Sequence, residues 1–163
     1  MQYFYAPWRS EYHTNKDKSK CVFCDISQTP EKDRENKVLF RDEICFIVMN
    51  LYPYNPGHFM VVPHRHLEAL EDLPPNEWQH IANLAQKGVK LLKEEFRAQG
   101  VNIGMNLGAV AGAGISDHIH LHLIPRFFGD TNFITTIAKS RVFGSDFCAI
   151  YEKLLAKSSE YFG

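Results

Sequence analysis

Seven consecutive residues constrain this chain more than any others: His118-Ile119-His120-Leu121-His122-Leu123-Ile124. Successive side chains of a strand point to opposite faces. As a strand, the segment sets His118, His120 and His122 on one face and Ile119, Leu121 and Leu123 on the other. The aliphatic face belongs against a core, because a slip of one residue would bury three imidazoles instead. A strand from His118 to Ile124 is therefore expected, holding three rings in a row on a rigid backing. Just upstream, Gly108, Gly112, Ala113 and Gly114 leave room for backbone to approach a ligand closely. A single histidine says little about function. Three at period two beside a glycine loop point to a three-histidine metal site or to phosphate chemistry.

The remaining composition narrows the field. A length of 163 residues suits one domain with a sizeable core. With a formal charge of −1 there is no global basic field, so nucleic acid is not an expected partner. Lys16, Lys18 and Lys20 are diluted by Asp17 and read as a solvated tail. No apolar run is long enough for a membrane span and the first residues lack a secretory pattern, which favours a cytoplasmic location and no membrane partner. Of the four cysteines, Cys45 and Cys148 stand alone and read as small buried hydrophobes. Cys21 and Cys24 form a Cys-x-x-Cys. No βαβ pattern surrounds that pair, so zinc is a better reading than redox work, provided two further ligands exist.

Residues 1–20 read as an N-terminal arm that docks through Trp8, and 21–163 as a single domain. Val38 to Arg41 and Ile44 to Met49 are expected strands joined by a tight turn at Asp42-Glu43. Tyr52-Pro53-Tyr54-Asn55-Pro56-Gly57 is a turn signal, after which His58 to Val62 resumes a strand. The long helix is expected from Pro75 to Gln99, with Trp78, Ile81, Ala82, Ala85, Val89, Leu92 and Phe96 as its core stripe and Gly100 as its stop. Val101 to Leu107 should pair with the histidine strand, and Asp146 to Tyr161 reads as a terminal helix. Five mostly antiparallel strands with one long helix and a short or terminal helix define an α+β fold.

The histidine segment, continued by Pro125-Arg126, resembles the signature of the histidine triad family of nucleotide hydrolases and transferases. Cys21-Val22-Phe23-Cys24, Asn50, Pro56-Gly57-His58 and Val61-Val62-Pro63-His64-Arg65-His66 fall in that family's order. The resemblance covers about residues 21 to 132. Ala6-Pro7-Trp8-Arg9 and Gly129-Asp130-Thr131-Asn132 look closest to a bacterial branch that includes diadenosine tetraphosphate phosphorylases. It implies a five-stranded antiparallel fold, a homodimer, and two-step chemistry at the α-phosphate of a dinucleoside polyphosphate, with inorganic phosphate or water as acceptor.

The resemblance also implies roles. His120 would attack phosphorus and carry the nucleotidyl group, and His122 would bond phosphate oxygens. Cys21, Cys24, His66 and His118 would hold a structural zinc ion, a closed tetrahedron with no position left for water; His64 is an alternative to His66. Asn50 would contact ribose and Asn106 the phosphate or leaving group, although both types often cap turns. Phe23, Ile26 and Val48 match places that sandwich the base. His58 reads as structural, and nothing in the sequence singles out His80. Many members carry Gln where this chain has Gly114, so backbone N–H groups of Gly114 to Ser116, or the Ser116 hydroxyl, would replace that amide as a small anion nest.

Three other readings compete. An adenosine phosphoramidate hydrolase would differ in its leaving group. A nucleotide-binding signalling module would bind with little turnover and tolerate loss of His120. A metal hydrolase with catalytic zinc on His118, His120 and His122 would keep its metal when Cys21 becomes Ser.

Overall fold

The computed structural model describes residues 21–132, 135, 137 and 144–163; the expected arm and its Trp8 lie outside them. A short helix, α1 (Val22–Gln28), precedes the strands β1 (Val38–Arg41), β2 (Cys45–Met49) and β3 (Phe59–Pro63). The long helix α2 (Pro75–Glu94), β4 (Gly100–Gly104), β5 (Leu121–Arg126) and a terminal helix α3 (Phe147–Phe162) follow. The strands form one antiparallel sheet in the order β1-β2-β3-β5-β4, the expected α+β arrangement.

Strand alternation divides the core in two. Cys45, Ile47 and Met49 of β2, Phe59 and Val61 of β3, and Leu121 and Leu123 of β5 face α2 and α3. Phe46, Val48, Met60 and Val62 face the other way and pack with Phe23 of α1. His122 pairs with Met60 across β3 and β5, and Met60 pairs with Val48 across β2 and β3. The register therefore sets the last triad histidine in line with the α1 face, while the residues beside it, Leu121 and Leu123, enter the main core as expected.

Several boundaries differ from the sequence reading, each for a local reason. The β5 ladder begins at Leu121: the Ile119 N–H donates outside the sheet to Leu67 O at 2.8 Å, and the His118 side chain donates through Nε2–H to Pro63 O at 2.9 Å. β4 ends at Gly104, short of Leu107. α2 ends at Glu94 rather than Gln99, since Arg97 is left-handed (φ 56°) and Ala98 N–H closes onto Leu92 O at 3.0 Å. Its buried face is Ile81, Leu84, Ala85, Gly88, Leu91 and Leu92; Trp78, expected in that stripe, is exposed. Cys148, expected buried, is also exposed, because α3 turns Ile150, Tyr151 and Leu154 inward instead.

Packing is tight at Gly88 of α2. A Cβ at Gly88 would stand 2.9 Å from Leu123 Cδ2 and 3.0 Å from Phe59 Cζ. Its absence lets α2 lie close on β3 and β5, directly behind the site face.

Candidate active site and metal centre

His118, His120 and His122 are all buried, and one ring nitrogen of each is held by a hydrogen bond within the protein. His120 Nδ1–H donates to the carbonyl of His118 at 2.8 Å. That bond fixes the tautomer, so Nε2 carries the lone pair. Burial lowers the pKa of this imidazole below its usual value, against the opposing pull of the carbonyl, and keeps it neutral. A neutral imidazole with a free Nε2 lone pair is a nucleophile. Phe23 packs against both His118 and His120, at ring-centroid distances of 5.4 and 5.1 Å.

His122 is ordered by His58, which reads as structural from the sequence. Tyr54 N–H donates to His58 Nδ1 at 3.2 Å. The remaining hydrogen of His58 is then on Nε2, which donates to His122 Nδ1 at 2.9 Å. His122 in turn keeps its own hydrogen on Nε2. The chain of two bonds presents an N–H donor beside His120, the two rings being 4.8 Å apart. The signal available in the sequence was position: His58 ends the Pro-Gly turn and opens the strand that pairs with β5.

Asn50 belongs to the same network. Its Oδ1 accepts from Tyr52 N–H at 2.9 Å, and its Nδ2 lies 3.3 Å from His58 Nδ1. Asn55, buried beneath the turn, donates to Pro125 O at 2.8 Å and to Asp130 Oδ2 at 2.9 Å. Asp130 also receives two bonds from Arg126, so the turn carrying His58 is tied to the end of β5. Val48 and Phe23 are buried in the second core cluster, with Ile26 packed against it. Asn106 is half-buried beyond the end of β4, whereas Gly114 is exposed and Ser116 half-buried in the segment leading to His118.

The four expected metal ligands converge. One donor atom from each of Cys21, Cys24, His66 and His118 lies within 4.8 Å of the others. Cys21 Sγ is 3.3 Å from His118 Nδ1, Cys24 Sγ 3.2 Å from His66 Nδ1 and 3.7 Å from His118 Nδ1. Zinc bonds of about 2.3 Å to sulfur and about 2.0 Å to nitrogen put tetrahedral ligands roughly 3.3 to 3.8 Å apart. The donor set fits. His118 also gives its other nitrogen to Pro63 O, the usual bracing of a metal-bound imidazole. His64 does not replace His66: it bonds Ser27 Oγ at 2.7 Å and Asp42 O at 2.9 Å, away from the thiols. His120 and His122 stand outside this group, so a metal held by the three triad histidines is not the arrangement seen.

The family profile of the HIT domain matches residues 31–129. The chain belongs to the HIT family. An AP-4-A phosphorylase of Mycobacterium tuberculosis is 38% identical over 151 residues, spanning 87% of this chain and 76% of its own. A bis(5'-adenosyl)-triphosphatase of Dictyostelium discoideum is 30% identical over 131 residues, 78% of this chain and 84% of its own. Among solved structures, a Zn-bound histidine triad family protein from Mycobacterium smegmatis aligns with a TM-score of 0.70 and 29% identity. That alignment covers 87% of this HIT chain and 95% of the other. With named phosphorylases and phosphatases among its relatives, the chain is an enzyme of this family. No helix among the described residues is long and apolar enough to cross a membrane.

Proposed function

We propose that this HIT enzyme cleaves dinucleoside polyphosphates of the diadenosine tetraphosphate type at an α-phosphate, through a nucleotidyl-His120 intermediate. The observation that carries the reading is the pair of contacts His120 Nδ1 to His118 O and His58 Nε2 to His122 Nδ1, from which a lone pair on His120 Nε2 beside a hydrogen on His122 Nε2 follows. In the first step His120 Nε2 bonds to the α-phosphorus, and the phosphorus–oxygen bond to the departing nucleotide breaks with its electron pair. His122 donates to a phosphoryl oxygen and steadies the charge that gathers there. In the second step an acceptor oxygen bonds to phosphorus and the N–P bond breaks, which returns the lone pair to His120.

Inorganic phosphate is the favoured acceptor, supported by the similarity to an AP-4-A phosphorylase and by the half-buried Ser116, whose hydroxyl is suited to an anion. Phe23, Ile26 and Val48 supply an apolar seat for a base, with Asn50 near the ribose and Asn106 near the departing phosphates. A zinc ion on Cys21, Cys24, His66 and His118 would brace the loop before β5 without activating water. The similarity to a Zn-bound relative and the fit of the donor set support this assignment. A homodimer through β4 fits as well: this strand is an edge of the sheet, and Ile103 within it and Leu107 just beyond it are exposed.

The test is product analysis of diadenosine tetraphosphate, with and without phosphate, beside a His120→Ala variant. Phosphate as acceptor yields ADP plus ATP, five phosphates in all, and no turnover without it. Water as acceptor yields AMP plus ATP regardless of phosphate. Loss of His120 should lower the rate by at least about a thousandfold. Turnover retained in His120→Ala would sink the covalent route, and turnover of adenosine phosphoramidates alone would replace the substrate class.

A further inference from the structure

A second group of donor atoms lies on the opposite face of the sheet, in no contact with the phosphate chemistry. Asp42 of the β1–β2 turn, Cys45 at the start of β2 and His80 in α2 each direct one donor atom to a common point, all within 4.8 Å of one another. The carboxylate is oriented by its surroundings. Oδ1 accepts the N–H groups of Ile44 at 2.8 Å and Cys45 at 2.9 Å, which turns Oδ2 toward His80 Nε2 at 2.6 Å. The Asp42 carbonyl is fixed in turn by His64 Nε2–H at 2.9 Å. Ligating carboxylates in metal centres are commonly hydrogen-bonded in this manner.

An Asp–His pair explains two of the three residues. The third is a fully buried thiol placed against a carboxylate, where packing alone would be served by any small apolar side chain. Burial and the Asp42 charge push the Cys45 thiol far above its usual range, so as it stands it carries its proton. A divalent cation would reverse that preference by supplying the missing opposite charge.

We infer that Asp42, Cys45 and His80 form a second metal site, with one oxygen, one sulfur and one nitrogen ligand and a fourth position open to water. A thiolate with an imidazole and a carboxylate suits zinc or the softer cadmium ion rather than magnesium or calcium. On binding, the Cys45 sulfur gives up its proton to solvent and the His80 hydrogen moves from Nε2 to Nδ1. The 2.6 Å separation opens to the roughly 3.3 Å edge of a tetrahedron. His80 can make that adjustment, since its side chain is 36% exposed. The ion would link the turn after β1 to the first half of α2. It is independent of the cysteine-pair centre assigned above.

The experiment is metal counting on the full chain after zinc loading and dialysis, with calorimetric titration, for wild type, His80→Ala and the Cys21→Ser/Cys24→Ser variant. Two equivalents are expected for wild type and one for each variant. Cobalt in the Cys21→Ser/Cys24→Ser protein should give a thiolate charge-transfer band that adding His80→Ala abolishes. The proposal is overturned if His80→Ala binds as much zinc as wild type, or if the folded double-serine variant binds none. Should that variant fail to fold, the comparison of His80→Ala with wild type decides alone. A single equivalent in wild type, lost in His80→Ala and kept in the serine variant, would uphold this site and remove the other.

Discussion

His118 and His122 flank His120 and are held by opposite means. His118 gives one nitrogen to a backbone carbonyl and turns the other toward two thiols and a second imidazole, a donor set that fits a cation. His122 is held by protein alone, through His58 and the Tyr54 N–H. Two residues of one type, four positions apart, thus depend on different chemistry. One flank should lose its shape when an ion leaves, the other when a proton arrives.

Metal removal is the larger perturbation. At a free-ion concentration a thousand times the Kd, binding stabilises the folded state by about 4 kcal/mol. Chelation should then lower Tm by roughly 10 °C for a domain of this size. The Cys21→Ser variant should start low and lose most of that response. A wild-type melting curve that ignores the chelator would mean that the His118 flank stands without an ion.

Acidification tests the other flank. Burial, then His120, holds His122 down to about 4. Burial, then His122 and His120, holds His58 down to about 3. Both folded values lie below the ordinary 6.5, so the unfolded chain binds more protons on the acid side. Stability from this pair is whole above about pH 6.5 and is lost as pH falls from there toward 4. The slope approaches about 1.4 kcal/mol per pH unit for each ring. Urea unfolding from pH 7 to 5 should show a shallower decline in His58→Phe than in wild type. Carboxylates contribute alike to both proteins, so equal slopes would remove the pair from the account.

The same variant has a kinetic consequence. Without the His58 donor, His122 Nδ1 can take the hydrogen, and Nε2 no longer presents it to phosphate. The first-step rate should fall about tenfold to a hundredfold, near the low end for a positioned proton donor. His58→Asn, which restores an N–H donor, should recover part of it, and zinc content should be unchanged. A fall in zinc content would show that the flanks are not separate.

The sequence made the histidine flank legible because both of its signals are local: period two in the triad and a Cys-x-x-Cys. Alternation alone placed Leu121 and Leu123 in the core, and the family resemblance brought in His66. What escaped is what depends on distant backbone. His118 to His120 fall outside the ladder, where Leu67 O takes the Ile119 N–H and Pro63 O takes the His118 ring. The end of α2 is set by a left-handed Arg97 rather than by the visible Gly100. His58 gained its role only when β3 came beside β5, and His80 only when α2 came down on the β1–β2 turn. Pairings across the sheet carry no mark in the chain itself.

Gly88→Ala sharpens the comparison with the smallest change. Helix propensity alone favours alanine by about 1 kcal/mol. Against that, the new methyl meets Leu123 Cδ2 at 2.9 Å and the Phe59 ring at 3.0 Å. The leucine tip can yield, but the ring is confined between α2 and the sheet, and overpacking of this kind costs about 1–3 kcal/mol. The expected balance is a loss of about 1 kcal/mol. Its direction in space matters more than its size: Leu123 follows His122 and Phe59 follows His58, so the push falls on the proton-ordered flank. The turnover rate should drop a few-fold while zinc stoichiometry holds. A higher Tm with wild-type turnover would show slack behind the sheet, and the close approach of α2 would then have no part in placing His122.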